Sequence, residues 1–403
     1  MKTYAIAGAS SRALGMFAKP IFERFKQSAR LVGVFDVNRT RAQLLSDECG
    51  GPPVYADFDA MLREQKPDCV IVTTVDRFHH EYIIRALDAG CDAITEKPMT
   101  IGAEQCRAIL AAEKRSGRTV TVTFNYRFAP YTTRVKEMLR EGAIGTPLSV
   151  DFEWILDTRH GADYFRRWHR RMENSGGLLV HNSTHHFDMI NWWLEDEPRT
   201  VFGLGERRFY GPTREQRGER CSTCTHTRTC EFYVDLARDA NLKRLYFDAE
   251  HEDGYFRDGC VFSDEIDIYD TMSVSARYER GTLLSYSLQA HSPWEGWRAA
   301  INGTGGRMEL LLVESGLGAD VRSHPITVFN RRGDRTTIDV PVASGGHGGG
   351  DARLLARLFG GESEPDPLGY MAGSWQGAMS IMIGIAANHS IAERRSIEIS
   401  DLL

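Results

Sequence analysis

The sequence predicts an α/β protein of two domains. The first is a doubly wound parallel sheet, and the second is an α/β domain with a large, open, mostly antiparallel sheet. Three observations lead to this fold class. The chain has 403 residues, more than one hydrophobic core ordinarily holds. Short apolar runs alternate with helical patterns over residues 1–124, and longer strand-like runs without that alternation follow over residues 125–403.

The first domain is predicted from short apolar strands separated by helices. These strands are apolar throughout, which is typical of a parallel sheet covered by helices on both faces. Two of the helices end at Gly90 and Gly117, a residue type that helix C-termini favour. The predicted strands are residues 4–7, 30–35, 69–73, 92–95 and 119–124, and the predicted helices are residues 17–25, 39–48, 80–89 and 103–116.

The second domain is predicted from longer strand-like runs, two of which are joined by a hairpin turn at residues 279–282. A polar, cysteine-containing insertion of about residues 211–263 separates two of the strands. The predicted strands are residues 148–156, 271–278, 283–290, 298–302 and 308–313, and the closing helices are residues 351–359 and 376–391.

Composition argues against two classes of partner. The net charge of -6 gives no basic face for a nucleic acid. No apolar run approaches the roughly 20 residues of a membrane helix, and the N-terminus lacks the pattern of a signal peptide. We therefore expect a soluble, cytoplasmic protein without a membrane or nucleic-acid partner.

The turn after the first strand has features of a dinucleotide-binding loop. Residues 8–15, GASSRALG, stand where a helix N-terminus offers free N–H groups to a pyrophosphate. Of the G-x-G-x-x-G pattern only Gly8 is kept, so an ordinary strand-to-helix turn is the alternative. We predict that Gly8, Ser10, Ser11 and Arg12 contact the cofactor.

Asp36 makes NAD the expected cofactor. It follows the second strand, where an acidic residue binds the ribose hydroxyls of adenosine and repels a 2′-phosphate. Asn38 and Arg39 are predicted to contact the cofactor too, and Arg39 and Arg41 would partly offset that repulsion. The alternative for Asp36 is a turn or N-cap aspartate.

Further motifs stand at the ends of predicted strands and at the start of a helix. They are Thr73-Thr74-Val75-Asp76 with His79, Glu96-Lys97-Pro98, Asn125-Tyr126-Arg127, and Gly176-Gly177 followed by His181, His185 and Asp188. Over nearly the whole chain, this combination resembles the family of glucose–fructose oxidoreductase, inositol dehydrogenase and the rhizopine catabolism protein (Gfo/Idh/MocA). The resemblance implies an NAD-binding Rossmann domain at residues 1–124 and a substrate-binding domain at residues 125–403.

The resemblance also implies roles for individual residues. Lys97 is the active-site lysine beside the nicotinamide, and the general acid/base lies on the second-domain helix. His181 stands where the family commonly has an aspartate, so we expect a proton relay through His181 and His185. The predicted cofactor contacts are completed by Thr73, Thr74, His79, Glu96, Lys97 and Asn125, and the predicted substrate contacts by Tyr126, Arg127, His181 and His185.

The same roles follow from the chemistry of carbinol oxidation. Hydride transfer from a carbinol needs a base for the hydroxyl proton and a cation for the developing alkoxide. Histidine titrates near neutrality, so His185 suits the first role and Lys97 the second. The alternative is that one histidine caps the helix and the other packs against Trp193.

An arginine-rich segment precedes the histidine helix. Residues 159–171, RHGADYFRRWHRR, interleave arginines with aromatic residues. Arginine binds anions bidentately and aromatic faces stack on sugars, so we predict that Arg166, Arg167 and Trp168 contact a substrate that carries an anionic group. A solvated, mobile segment is the alternative.

The cysteines of the insertion resemble a four-thiolate metal site. Cys221, Cys224, Cys230 and Cys260 have spacing that suits structural zinc, with free thiols as the alternative and an iron–sulfur cluster less favoured. We expect this site to be structural and remote from catalysis.

The sequence thus predicts an NAD-dependent oxidoreductase acting on a secondary hydroxyl of a sugar or glycoside, by hypothesis an anionic one. The alternative is an NAD-dependent glycosidase that transiently oxidises C3 of the sugar and recycles its cofactor. A nucleotide-binding sensor without catalysis is disfavoured because Lys97 and His185 are both present. By resemblance alone, a homo-oligomer, dimer or tetramer, is expected.

Overall fold

The computed structural model describes residues 1–316, 318–361 and 365–403. Its strands are β1 (Lys2–Ala7), β2 (Ala29–Phe35), β3 (Val54–Tyr55), β4 (Cys69–Val72), β5 (Asp92–Thr95), β6 (Val120–Val122), β7 (Pro147–Asp157), β8 (Pro198–Glu206), β9 (Thr271–Tyr278), β10 (Leu283–Ser292), β11 (Glu295–Gly303), β12 (Gly306–Ser315), β13 (Ser323–Asn330), β14 (Arg335–Pro341), β15 (Ala372–Gly373) and β16 (Ile397–Glu398).

The helices lie between these strands. The α-helices are α1 (Lys19–Glu23), α2 (Arg39–Glu48), α3 (Phe58–Gln65), α4 (His79–Asp88), α5 (Ala103–Ser116), α6 (Pro130–Arg140), α7 (Thr158–Arg166), α8 (Met172–Ser175), α9 (Leu178–His181), α10 (Thr184–Leu194), α11 (Ala240–Leu242), α12 (Glu250–Asp253), α13 (Gly350–Phe359) and α14 (Ser374–Glu393). Two π-helical turns are Ala13–Ala18 and Lys243–Phe247, and short 3₁₀ turns are Asp76–Phe78, Asn125–Phe128, Trp168–Arg170, Cys221–Thr223, Leu236–Arg238, Gly346–Gly349 and Ile399–Asp401.

The first sheet has the order β15-β6-β5-β4-β1-β2-β3 and is parallel except where β15 pairs with β6. The order reverses between β1 and β4, since the chain leaves β1 in one direction toward β2 and β3 and later returns on the other side to form β4. In open α/β sheets a ligand binds beyond the carboxyl ends of the strands at such a point. The predicted doubly wound Rossmann sheet is confirmed, and its switch point locates the site described below.

The second sheet has the order β14-β13-β12-β11-β7-β10-β9-β8-β16, with β7 and β10 parallel and the other neighbours antiparallel. Residues of β9 alternate between exposed and buried along its length, so one face of the sheet is open. The other face is covered by α10 and by α14, which packs on β8. The predicted open antiparallel sheet is confirmed. In the described part of the chain, no helix is long and apolar enough to cross a membrane.

The far end of the chain returns to complete the first domain. Ala372 in β15 pairs with Val122 in β6, adding an antiparallel edge strand to the Rossmann sheet. Phe359 at the end of α13 meets the ring of Tyr4 edge-on, with ring centroids 5.0 Å apart. Some residues beyond 124 therefore belong to the first domain in space, although a boundary at residue 124 assigns them to the second.

Several elements were not predicted. β3 is two residues long, and β13 and β14 lie at a polar sheet edge, so none has a clear apolar pattern. The arginine-rich segment begins as α7, where Asp157 caps the helix by accepting from the backbone N–H of His160 at 2.7 Å. Because α7 ends at Arg166, Arg166 and Arg167 point to different sides of the segment.

Candidate active site

A cleft of about 790 Å³ lies between the two domains at the carboxyl ends of β1, β2, β4 and β5. Most of the predicted site residues line it: Gly8, Ser10, Ser11, Arg12, Asp36, Thr73, Thr74, His79, Glu96, Lys97, Tyr126, Arg167, Trp168, His181 and His185. Its volume falls within the range of about 300–1,000 Å³ for small-molecule and cofactor sites. Five other predicted residues, discussed below, do not line it.

The loop after β1 has the close backbone packing that a dinucleotide needs. Gly8 has φ +98, and a Cβ there would lie 2.7 Å from the backbone of Thr73 and Thr74. The Thr73 hydroxyl donates to the Gly8 carbonyl at 2.6 Å, which ties the ends of β1 and β4 together. Ser10 accepts from the N–H of Ala13 at 3.1 Å and so begins the first helical turn, the place where a pyrophosphate is held. These residues fit NAD.

Asp36 lines the cleft and is held by the backbone. Its carboxylate accepts from the N–H groups of Ala9 at 2.5 Å and Asn38 at 2.7 Å. Asn38 itself is fully buried: it caps α2 and donates to the carbonyl of Ala249 at 2.8 Å. Arg39 is exposed and does not line the cleft. Asn38 therefore supports the loop that carries Asp36, and the backbone N–H of Arg39 donates to the carboxylate of Glu252 at 2.5 Å.

His79 and Glu96 join the loops that follow β1, β4 and β5. The ring nitrogens of His79 lie 2.9 Å from the Pro98 carbonyl and 3.1 Å from the Thr74 carbonyl. Burial lowers the pKa of His79, so the ring bridges the two loops as a neutral group. Arg12 donates to the carboxylate of Glu96 at 2.6 Å.

Lys97 lies at the end of β5 and its Nζ donates to the carbonyl of His181 at 3.0 Å. Burial lowers the pKa of Lys97 to about 8, against the opposing effect of the carboxylates of Asp76 and Glu96. A buried ammonium that titrates so near neutrality suits either charge stabilisation or proton transfer.

Asp76 is the partner of His181, and sequence reasoning missed its role. Nδ1 of His181 lies 2.5 Å from a carboxylate oxygen of Asp76, and both side chains line the cleft. Burial raises the pKa of Asp76, which Lys97 opposes, while burial and the charge of Lys97 lower that of His181. With Nδ1 engaged, Nε2 is left to accept a proton. The only sequence signal for this pair was that Asp76 ended the quoted strand motif.

His185 also lines the cleft, with its ring 5.0 Å from Tyr126 and 5.5 Å from His347. Its Nδ1 is buried without a hydrogen-bond partner among the described residues. Burial lowers the pKa of His185 well below its usual value. Because no carboxylate among the described residues orients His185, His181 is the better placed base of the two.

A second set of acid and base groups lines the same cleft and was not predicted. Nδ1 of His160 lies 2.9 Å from the carboxylate of Glu295, and its Nε2 lies 3.0 Å from the hydroxyl of Tyr164. The hydroxyl of Tyr126 donates to the carboxylate of Glu314 at 2.6 Å, and burial raises the pKa of Glu314. Tyr126 therefore reaches the site as predicted, but with a carboxylate partner that the sequence did not indicate.

Arg127, Arg166 and Asn125 lie outside this cleft. Arg127 makes two bonds, of 2.6 and 2.7 Å, to the buried carboxylate of Asp188. Arg166 donates to the Phe232 carbonyl at 3.0 Å on the side of the insertion. These two contacts correct the prediction that both arginines face the substrate. Asn125 is fully buried, and its amide lies 2.6 Å from a carboxylate oxygen of Asp351.

The four cysteines of the insertion line one small separate cavity of about 20 Å³, together with His226. All are free thiols. As placed, no group of three or more His, Cys, Asp or Glu side chains in the described part of the chain could hold a metal ion. The cysteines are thus brought together as predicted, while the zinc site stays a prediction.

The insertion is not remote from the main cleft. Tyr246, Asp253, Tyr255 and Arg257 line it beside the cofactor loop. The cysteine site itself lies apart from the cleft, whereas Tyr246, Asp253, Tyr255 and Arg257 of the same insertion form part of the cleft wall. Short polar segments with few apolar residues gave no sign of where they would dock.

The chain matches two family models. One is described as "Oxidoreductase family, NAD-binding Rossmann fold" and matches residues 2–124, and the other as "Oxidoreductase family, C-terminal alpha/beta domain" and matches residues 136–399. YteT of Bacillus subtilis (strain 168) is 39% identical over 422 residues, which cover 100% of this chain and 99% of that protein.

The chain is also similar to part of a curated dehydrogenase and to a solved oxidoreductase structure. D-glucoside 3-dehydrogenase of Escherichia coli (strain K12) is 35% identical over 120 residues, 30% of this chain and 34% of that protein. A solved oxidoreductase from Agrobacterium radiobacter, in complex with NAD+, L-tartaric acid and magnesium, has a TM-score of 0.66 and 18% identity. It covers 100% of this chain and 99% of its own. At that identity the likeness concerns the fold.

Proposed function

The chain belongs to the Gfo/Idh/MocA oxidoreductase family, and from that membership we propose that it oxidises a secondary hydroxyl of a sugar or glycoside with NAD as hydride acceptor. The observation that carries the proposal is the group formed by Lys97, His181 and Asp76 at the strand ends beside the cofactor loop. NAD, when bound, supplies the nicotinamide that takes the hydride.

The chain's own residues supply the proton chemistry. His181, oriented by Asp76, accepts the hydroxyl proton through Nε2 and becomes an imidazolium that the carboxylate stabilises. Lys97 in its protonated form stabilises the developing alkoxide. His185 was the base expected from the sequence. In our proposal it is instead a substrate contact, because it lines the cleft and has no carboxylate partner among the described residues.

The lining of the cleft supports a polyhydroxylated substrate. Glu295 and Glu314 offer carboxylate acceptors for hydroxyl groups, and Trp168 offers an aromatic face for a sugar ring. Trp168 is itself stacked on His169 with ring centroids 3.6 Å apart, which fixes its orientation.

We further propose that the substrate carries an anionic group, bound by Arg167. Its Nε is buried without a hydrogen-bond partner among the described residues, and its side chain lines the cleft near Lys97 and Asp76. The Arg167→Gln variant should raise KM for an acidic sugar far more than for its neutral counterpart. Equal effects on both substrates would contradict the anionic group alone.

The experiment that tests the oxidoreductase is a screen of free sugars and glycosides with NAD, followed by NADH absorbance. The Lys97→Ala and His181→Ala variants should lose activity while still binding NAD. His291→Ala is the matched control, since His291 stacks on Phe209 outside the cleft. Activity that survives both cleft substitutions would overturn the proposed roles.

A second candidate is a glycosidase that recycles its cofactor, and the second acid/base set favours it. Oxidation at C3 acidifies the proton on C2. One group of the Glu295–His160–Tyr164 set removes that proton, and the aglycone leaves C1 with a proton from an acid. Water then adds to C1, a proton returns to C2, and the hydride returns to C3, so that the net reaction is hydrolysis.

The two candidates differ in products that can be measured. A dehydrogenase yields NADH and a ketone in equal amounts. The glycosidase releases aglycone without net NADH and, in deuterated water, leaves deuterium at C2 of the sugar. Release of aglycone without deuterium at C2 would exclude this route.

We also propose that the cysteine cluster binds a structural zinc ion. The backbone N–H of His226 donates to Cys224 Sγ at 3.4 Å, which favours a thiolate there. Arg166 lies 3.6 Å from Cys221 Sγ and favours a thiolate too, although burial raises the pKa of Cys221. Metal analysis should find near-stoichiometric zinc that the Cys224→Ser variant loses. Metal-free protein with an unchanged melting temperature would contradict the proposal.

A further inference from the structure

Residues 243–257 of the insertion reach from the second domain across to the first, and we call this segment the clasp. It contains a π-helical turn, Lys243–Phe247, and α12. Leu245 and Tyr246 are buried in the same apolar cluster as Ala9, Leu14 and other residues of the first domain. The clasp thus packs on the cofactor domain although it is inserted between two strands of the other sheet.

One end of the clasp meets the pyrophosphate loop. The hydroxyl of Tyr246 accepts from the backbone N–H of Ser11 at 3.0 Å and donates to the Ser11 hydroxyl at 3.0 Å. The guanidinium of Arg257 lies over the Tyr246 ring, 4.4 Å from its centroid, and its Nη1 is buried without a hydrogen-bond partner among the described residues. The clasp therefore adds a hydroxyl and a cation to the loop that holds a dinucleotide's phosphates.

The other end of the clasp meets the adenosine end of the site. The carboxylate of Glu252 accepts from the backbone N–H of Arg39 at 2.5 Å and from that of Thr40 at 3.1 Å. These N–H groups stand at the start of α2 and have no partner within the helix, and such a helix start attracts anions. A protein carboxylate therefore occupies the position that would otherwise favour a 2′-phosphate.

Asp253 offsets the positive charge of Arg41. Arg41 is the arginine that follows Asp36 closely enough to neutralise it, and an arginine near this point accommodates the 2′-phosphate of NADP. Here the Arg41 guanidinium is bonded to the carboxylate of Asp253 and lies 3.5 Å from that of Asp36. With two carboxylates beside its Nη2, the charge of Arg41 is offset, although its Nη1 is buried without a hydrogen-bond partner among the described residues.

The clasp is bonded to the rest of the insertion, which belongs to the second domain. The guanidinium of Arg220 bridges the carboxylates of Glu250 and Asp258, at 2.7 and 2.8 Å. The backbone N–H of Cys221 donates to the Asp258 carbonyl at 2.8 Å. Release of the dinucleotide past the clasp therefore requires either these contacts or those to the first domain to open.

We propose that the clasp selects NAD against NADP through Glu252 and Asp253, and retains the bound dinucleotide through Tyr246. The proposal rests on the NAD-dependent function proposed above. Neither carboxylate is the acidic residue after β2 on which selectivity normally depends, and the clasp adds its two charges to that of Asp36. Retention would follow because the clasp, bonded directly to the loop after β1, forms one wall of the cleft in which a dinucleotide would lie.

The test of selectivity measures dissociation constants of NAD and NADP by titration calorimetry on the purified full-length protein. The double variant Glu252→Gln/Asp253→Asn should lower the ratio of the two constants, Kd(NADP)/Kd(NAD), at least about tenfold. Asp248→Asn is the matched control, since it removes a charge from the same segment but pairs only with Lys243 among the described side chains. A ratio that changes by the same factor in the control, or not at all, would overturn the role of the carboxylates.

The test of retention measures the rate at which bound NAD leaves the protein during rapid dilution. Tyr246→Phe removes the bonds to Ser11 and should speed release at least about fivefold, with Tyr233→Phe as the exposed control in the same insertion. Thermal melting shows whether each variant is folded. If the wild-type protein binds neither dinucleotide, the proposed function fails. If it binds NAD and the variants leave selectivity and release unchanged, the clasp alone fails.

Discussion

Replacing Asp76 by asparagine keeps the shape of the side chain and removes its charge beside His181. The wild-type contact is 2.5 Å between Nδ1 and the carboxylate, within a buried site. A hydrogen bond to a charged group contributes about 1.5–3 kcal/mol. Since about 1.36 kcal/mol is tenfold in rate, kcat/KM should fall roughly 10- to 150-fold, mostly through kcat.

The same substitution has a second readout, the pH profile. The charge of Asp76 raises the pKa of Lys97 against the stronger effect of burial, which brings that pKa to about 8. Without the carboxylate, Lys97 loses its proton at lower pH, because an opposing charge has been removed. The alkaline limb of kcat/KM should therefore move to lower pH in Asp76→Asn than in the wild-type protein.

Steady-state kinetics over a range of pH measure both effects with the substrate that the screen identifies. Asp88→Asn is the control, since Asp88 pairs with Arg115 on the surface, away from the cleft. A fall in rate without movement of the alkaline limb would show that Asp76 supports the fold of the site and is not coupled to Lys97. An unchanged rate would refute the proposed base.

Three further predictions concern single residues. Lys97→Arg stays charged at all accessible pH values, so the fall of kcat/KM above about pH 8 in the wild-type protein should be absent from the residual activity, as a pH–rate profile will show. Gly8→Ala places a Cβ 2.7 Å from backbone atoms and strains a positive φ. It should therefore weaken NAD binding and lower stability by about 1–3 kcal/mol, both measured by calorimetry. Gly15→Ala, with nothing described within 4 Å of its Cβ, should do neither. Arg127→Met leaves Asp188 buried without its cation and should cost about 3–5 kcal/mol of stability in denaturant unfolding.

The fold and the cofactor half of the site could be predicted because their signals are local. Gly8, Asp36 and Lys97 each follow a strand, and the carboxyl ends of neighbouring parallel strands meet at one edge of the sheet. Their convergence therefore follows from the strand pattern alone. Where the chain's path is irregular, as in the return of β15 to the first sheet, two residues of strand give no such signal.

The substrate half of the site depends on contacts between distant parts of the chain. Asp76 and His181 are 105 positions apart, and Glu295 and His160 are 135 apart. Their pairing is set by how the two domains pack, which no motif expresses. The arginines show the same limit at short range: α7 sends Arg166 toward the insertion, and Arg167, after the helix end, lines the cleft.

The clasp and the second acid/base set both help to distinguish a net dehydrogenase from a glycosidase that recycles its cofactor. A net dehydrogenase must release reduced cofactor at each turnover, so a segment that holds the dinucleotide between two domains would slow it. A net dehydrogenase would also have no second proton transfer for the Glu295–His160 pair to perform. An enzyme that returns the hydride in place needs both features, because its cofactor stays bound while a second base works on the substrate. The two candidates can be distinguished by denaturing freshly purified protein and quantifying the nucleotide that it releases. Near-stoichiometric NAD would favour the recycling glycosidase, whereas an empty site that binds NAD reversibly would favour the dehydrogenase.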